Sequence, residues 1–429
     1  FLLSPTKKPV AFVGVTTPET FTKSTPAYFM DKAQRKYIYD IQGGEDGKKL
    51  YDAVQKAIDK AKVLADVVIG LGHLGVDPSS SPWTSEEVIA HTSGFDAFID
   101  GHSHTVMENK QVQDASGKAV TLTQTGSYFA NVGEMTIAAD GTITTKLIPT
   151  HEGMDAGIAA MQTGWVNTVD DMLGEKIAVG DSDFYVSDPA TGKRRIRSAE
   201  TNLGDFVADG IYTYFNEVEK LHCDVAIMNG GGIRADVPAG DWTFKTCKQV
   251  SPFGNVACLM SVTGKQIQDA LEFAARFAGE GGKENGGFLQ VAGATYEIHT
   301  DIPNTVQTDE KNVWIGSATG TPRVQNVKIY DKASGSYLPL DPGATYALAG
   351  MNYTLRNLGD GFAMFDGAEL IKDYVSEDYL VMSTYAMIFD GADAAGLPHL
   401  SSANSPLAAY PGYLLNYEQP YGAGRITIL

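Results

Sequence analysis

Cysteine is scarce. The 429 residues hold three, Cys223, Cys247 and Cys258, with no C-x-x-C spacing. That argues against a zinc ribbon or a disulfide framework and leaves the redox compartment open. Cys223 and Cys258 lie among apolar residues and read as buried thiols. Basic charge is also short: 33 Lys and Arg face 52 Asp and Glu, for a net charge of −19. A duplex binder needs a basic face, so a nucleic-acid polymer is a poor partner. A small anion held by a few local arginines remains compatible. No apolar run is long enough to span a bilayer, and no repeat of fixed period is present. The chain opens Phe1-Leu2-Leu3-Ser4-Pro5, with neither Met nor a signal pattern. Residues 12–15 already read as a buried strand, so the expectation is that a segment lies upstream.

What is present begins with histidine. Asp100-Gly101-His102-Ser103-His104 follows the apolar run 97–99, and Gly70-Leu71-Gly72-His73-Leu74-Gly75 follows the run 66–69. A lone His in a loop is ordinarily a solvated turn residue. A strand end that delivers imidazoles, twice over, points instead to a metal site at the carboxyl ends of neighbouring strands. The surrounding pattern agrees. Strands are expected at 9–16, 66–70 and 97–99. Helical spacing covers 48–65, and a short helix runs through Ala90, capped by Thr84 or Ser85. That is an α/β layer, in which ligands collect beyond the carboxyl ends of the strands. Residues 17–47 read as a long loop with a possible hairpin at 37–41. Three β runs at 120–148 follow, the last two joined by Asp140-Gly141, a strong hairpin signal. A helix over 155–173, with Ile158, Met161, Trp165, Val169 and Leu173 on one stripe, would lead into a second region.

There the pattern restarts, with helices at 202–220 and 264–278 and strands at 225–228, 256–262, 295–300, 324–329 and 346–350. Residues 352–362 read as a loop, and 391–424 resist assignment. After the strand 225–228 comes Asn229-Gly230-Gly231-Gly232-Ile233-Arg234. Glycines can let backbone amides approach an anion, and an arginine adds a planar, permanently charged fork. A flexible turn would look the same, and no P-loop Gly-Lys-Ser/Thr follows. Arg197 is a second candidate anion clamp or a surface arginine. Phe253 and Tyr353 are loop aromatics that could stack on a flat base, or simply close a core.

Asn229–Arg234 followed by Ser251-Pro252-Phe253-Gly254-Asn255 resembles the C-terminal domain of the 5′-nucleotidase / UDP-sugar hydrolase family. Gly72–Gly75 and Gly101–His104 resemble the second half of its metallophosphoesterase domain. The resemblance implies an α/β fold (α+β overall). The C-terminal part of a four-layer metallophosphoesterase sandwich would occupy 1–150, a linker helix 151–175, and a mixed α/β nucleotide-binding domain 176–429. It implies two divalent metal ions, Zn, Mn or similar, with His73 and His102 on one and His104 on the other. Asn229, Gly231, Gly232 and Arg234 would hold substrate, Arg197 would clamp its phosphate, Phe253 and Tyr353 would sandwich the base, and Asp360 would reach the ribose. The family's further metal ligands and its catalytic histidine precede everything in this chain. The expected activity is metal-dependent removal of phosphate from nucleoside 5′-monophosphates, with UDP-sugars or cyclic nucleotides as further substrates, in an extracytoplasmic location. The alternative is a nucleotide-binding module without turnover. Leu358 stands where the family has a glycine, before Gly359-Asp360-Gly361.

Overall fold

The computed structural model describes residues 2–3, 9–31, 36–149, 153–279 and 283–429. Two compact units emerge, one from Phe1–Lys23 with Gln34–Gln162, the other from Ser24–Ala33 with Thr163–Leu429.

The first unit is built on a six-stranded sheet. Its centre is parallel: Pro9–Thr16, Val67–His73, Ala97–Asp100 and Ala119–Thr125, with Val106–Gln113 antiparallel at one edge. Parallel strands need covering on both faces, and the side chains divide accordingly. Ala11, Val13, Val68 and Phe98 join Leu50, Val54 and Ile58 of the helix Lys48–Lys62, and Val88 and Ile89 of the helix Ser85–Ala90. Val10, Val67, Ile69 and Ala97 face Met135, Ile137 and Ile143 of the hairpin Asn131–Ile137/Ile143–Pro149. Thr84 caps the shorter helix through a reciprocal bond with Glu87. The hairpin expected at 37–41 is absent. Of those residues only Tyr37 lies in a strand, the two-residue Lys36–Tyr37.

The second unit centres on a five-stranded sheet in the order Leu289–Ala292, Val225–Asn229, Thr345–Met351, Ala257–Thr263, Glu369–Lys372. Val225–Asn229 is apolar without alternation because both its faces are buried. Ala226 and Met228 pack with the helices Asn202–Thr213 and Asp378–Met387, while Val225 and Ile227 pack with the helix Gly264–Ala274. Helix Asn202–Thr213 is shorter than its sequence pattern and passes into a π turn, Tyr214–Val218. The loop expected over 352–362 contains a helical turn, Asn352–Leu355, and a 3₁₀ turn, Gly359–Gly361. All three cysteines are free and buried.

The tail that sequence left unassigned is part of this core. Arg425 is fully buried, bonded to Asp209 at 2.7 Å and to the carbonyls of Val291 and Leu414. Tyr413 and Tyr417 also donate to Asp209, and Glu200 accepts the amides of Gly424, Arg425 and Ile426. The chain end then pairs as Ile426–Ile428 beside Ala294–Ile298. By contrast, helix Ala156–Leu173 has no buried residue, and Ile158, Met161, Trp165 and Val169 of its apolar stripe are exposed.

Candidate functional site

Two groups of predicted residues assemble, one in each unit. In the first, His73 ends its strand and His102 follows the strand beside it. Gly70 and Gly72 are required because the Phe98 ring lies against both; an added Cβ would come within 2.2 and 2.4 Å of it. Asp100 joins the two loops. Its carboxylate accepts the amides of Leu74 at 2.9 Å and Gly75 at 3.0 Å. Both His102 and His104 have positive φ, 81° and 56°, a sparsely populated conformation often stored at functional sites.

The His102 Nδ1 lies 3.3 Å from the His73 Nε2. Two nitrogens each about 2.0–2.1 Å from one tetrahedral ion would be about 3.3 Å apart, so this pair fits as joint ligands. Burial, with the neighbouring His102, lowers the His73 pKa, favouring the neutral ring that a metal needs. Among the described residues, however, no three His, Cys, Asp or Glu gather as a metal site, so His104 does not complete one with the pair.

Sequence reasoning missed Glu19. Its Oε2 meets the other His102 nitrogen, Nε2, at 3.0 Å and accepts the Ser80 hydroxyl at 2.6 Å. Burial alone would raise this carboxyl. The bonds with His102 and Ser80 and the Lys23 charge outweigh burial and hold it below its ordinary value. A carboxylate on the far nitrogen of a ligating imidazole fixes its tautomer and orientation. The available signal was position, since Glu19 lies just beyond the carboxyl end of Pro9–Thr16, next to Val67–His73.

In the second unit, Asn229 ends the strand Val225–Asn229 and its Nδ2 donates to Asp360 at 3.1 Å. The Asp360 amide donates to the Tyr353 hydroxyl at 3.2 Å. The Tyr353 ring lies on Gly359, where a Cβ would come within 2.5 Å of it. Leu358 adopts φ 59°, so the backbone keeps the conformation a glycine would favour. Arg197 is electrostatically close to Arg194, Arg234, Glu284 and Asp360. Burial first, then the two neighbouring arginines, pull its guanidinium down to about 10. Two buried atoms here have no hydrogen-bond partner among the described residues, Arg197 Nε and Asn229 Oδ1. Buried polar atoms are rarely left so. Phe253 is 60% exposed, with the Arg234 guanidinium 5.6 Å from its ring centre.

Of the two readings the sequence left open for the glycines, the structure favours the turn at Gly230 and Gly231. The amides of Gly230 and Gly231 are already committed to the carbonyls of Phe288 and Gly286, both at 2.7 Å. These glycines serve close packing instead. A Cβ at Gly230 would lie 2.2 Å from the Ile196 carbonyl oxygen, and one at Gly231 would lie 3.0 Å from that of Gly286. Gly232 borders the unpartnered Asn229 Oδ1, 3.1 Å from its own ideal Cβ position.

Residues 176–367 match the 5′-nucleotidase, C-terminal domain. The trifunctional nucleotide phosphoesterase protein YfkN of Bacillus subtilis is 29% identical over 386 residues, covering 87% of this chain and 23% of its own length. An apyrase of Tabanus yao is 25% identical over 406 residues, covering 88% of this chain and 65% of its own length. The chain therefore spans less than two thirds of either relative. The 5′-nucleotidase precursor of Thermus thermophilus has the same fold, with a TM-score of 0.69 at 22% identity over 99% of this chain and 73% of that one. The chain thus carries a 5′-nucleotidase C-terminal domain over residues 176–367 and shares its fold with that solved 5′-nucleotidase.

Proposed function

We propose that the protein is a phosphoric ester hydrolase acting on nucleotides. The observation that carries this reading is the pair of unpartnered buried atoms, Arg197 Nε and Asn229 Oδ1, in a domain of the matched type. A donor on a permanent cation suits a phosphate oxygen, and a lone amide oxygen suits a hydroxyl or a base N–H. Arg234 adds positive charge. Phe253 offers an exposed ring for stacking a base, and Tyr353 would bound the base from the other side. Asp360, held by Asn229, would accept a ribose hydroxyl. Gly231 and Gly232 shape the turn beside them.

His73 and His102 would hold a divalent ion, with Glu19 orienting His102. His104 would serve a second ion. Such ions lower the pKa of bound water and neutralise phosphoryl charge. We assign nucleoside 5′-monophosphates as substrates, with UDP-sugars or cyclic nucleotides as further candidates, in an extracytoplasmic setting. Among the described residues no helix is long and apolar enough to cross a membrane. The test is phosphate release from AMP and from UDP-glucose with Mn²⁺ or Zn²⁺, before and after chelation. Activity that survives complete chelation would end the metal assignment. A second reading rests on the two-imidazole count: the chain binds nucleotide without turnover. It predicts AMP affinity dependent on Arg234 and Phe253, with no phosphate released.

A further inference from the structure

Phe253 is exposed and sits on a short loop, so its use as a stacking platform depends on what holds that loop. The two residues after Gly254 are each held twice. Asn255 donates its amide to the Asp378 carboxylate at 3.2 Å and accepts the Asp378 amide at 2.8 Å. Val256 donates its amide to the Asn352 side chain at 3.0 Å and accepts the Asn352 amide at 2.8 Å. Asn352 directly precedes Tyr353. Asp378 is 3% exposed and opens the helix Asp378–Met387; its second oxygen accepts the Tyr379 amide at 2.8 Å.

We propose that Asp378 is a positioning residue for base recognition: its buried carboxylate locks the Phe253 loop onto the helix Asp378–Met387 and so sets affinity for the nucleobase. The inference rests on the reading that Phe253 stacks on the base. The chemistry singles out a carboxylate. Two N–H groups, from Asn255 and Tyr379, are accepted by two different oxygens. An amide or a protonated acid presents one good acceptor and one donor, and therefore sets a donor against one of those N–H groups. The charged groups around it are Lys248 and Glu377, paired at 3.6 Å beside Gly254. Burial above all raises the Asp378 carboxyl to about 6; the amides of Tyr379 and Asn255 and the Lys248 charge oppose the rise, and Glu377 adds to it. The lock is therefore intact at neutral pH and opens as pH falls through that value.

The experiment measures adenosine binding to the full chain by calorimetry, since adenosine carries no phosphate to titrate. In the wild type, affinity should fall as pH drops from about 7.5 to about 5. Asp378→Asn should bind about tenfold more weakly near neutral pH, the effect expected from losing a hydrogen bond to a charged group, and its affinity should not vary over that range. In a Phe253→Ala background, Asp378→Asn should have no further effect, whereas a general loss of structure would add to it. Glu377→Gln should keep the pH step. If Phe253→Ala leaves adenosine affinity unchanged, the stacking reading itself fails. If Phe253→Ala weakens binding while Asp378→Asn does not, or their effects add, stacking stands and the positioning role is overturned. Should Asp378→Asn not fold, the wild-type profile decides: an affinity flat across pH 6 overturns the proposal.

Discussion

Replacing Arg197 with methionine should separate binding from stability. Met keeps the length of the aliphatic stem and removes the charge. The guanidinium is disfavoured in the folded protein because burial and two neighbouring arginines act against it. Moving it from 12.5 to about 10 corresponds to a penalty of about 3 kcal/mol. The folded value lies below the unfolded one, so the penalty is complete at neutral pH and relaxes only as pH rises above about 10. The attraction of Glu284, 3.9 Å away, is already contained in that penalty; packing contacts that the guanidinium makes and a methionine does not offset part of the gain. A net gain of about 1–2 kcal/mol remains, or an apparent melting rise of about 2–8 °C for a unit of this size. AMP should behave oppositely. At a concentration a hundred times the wild-type Kd, AMP stabilises by about 2.7 kcal/mol; a hundredfold weaker variant would retain about 0.4 kcal/mol. Thermal unfolding with and without AMP reads both effects. A variant that melts lower without ligand, yet keeps its full AMP shift, would refute the reasoning: Arg197 would then be a structural cation.

Other substitutions test the remaining parts. Glu19→Gln leaves the two imidazoles in place but replaces the carboxylate that orients His102; Mn²⁺ affinity by calorimetry should fall about 10–100-fold, and unchanged affinity would remove Glu19 from the site. Arg425→Met strands the Asp209 carboxylate in the core with tyrosine donors only; denaturant unfolding should show a loss of about 3–5 kcal/mol, and a loss under about 1 kcal/mol would mean the tail is not anchored there. Gly230→Ala drives a Cβ against the Ile196 backbone carbonyl, which cannot rotate away, and should cost about 1–3 kcal/mol. Gly164→Ala, in an exposed helix with nothing within 4 Å, should instead stabilise by up to about 1 kcal/mol; equal effects at the two positions would contradict the packing account.

The architecture was legible wherever one physical rule dominated. Strands Val67–His73 and Ala97–Asp100 are continuous apolar runs because helices and a hairpin cover both faces, so periodicity and punctuation located them. Thr84 or Ser85 marked the start of the helix Ser85–Ala90, and the reciprocal bond with Glu87 settles the cap on Thr84. Residues 391–424 failed for the opposite reason. Their order comes from buried tyrosines and Arg425 reaching Asp209, more than 200 positions away in the chain, and no local period records such a bond. Residues 37–41 are rich in the aromatic and β-branched types that strands favour, but only Tyr37 of them lies in a strand, Lys36–Tyr37. A hairpin needs a partner as well as a pattern.

The candidate site divides along the same line. His73 and His102 were visible because glycines and strand ends mark where imidazoles can meet, and the glycines prove to be space for the Phe98 ring. The triple glycine was visible too, but sequence left open whether it met an anion or only turned the chain. Glycine permits close approach without saying of what, and here the approaching groups are the Ile196 and Gly286 carbonyls, with the Gly230 and Gly231 amides already bonded. What the turn contributes is therefore not a row of donors but the placement of Asn229, whose oxygen is left unpartnered. Glu19 had only its place beyond a strand end to mark it, and Asp378 had nothing, since each bonds a residue far off in the chain, His102 and Asn255. Carboxylates of this kind carry no motif. Their role becomes recognisable when a second donor is seen on the same carboxylate, Ser80 for Glu19 and Tyr379 for Asp378, so that neutralising the group must disturb more than one bond.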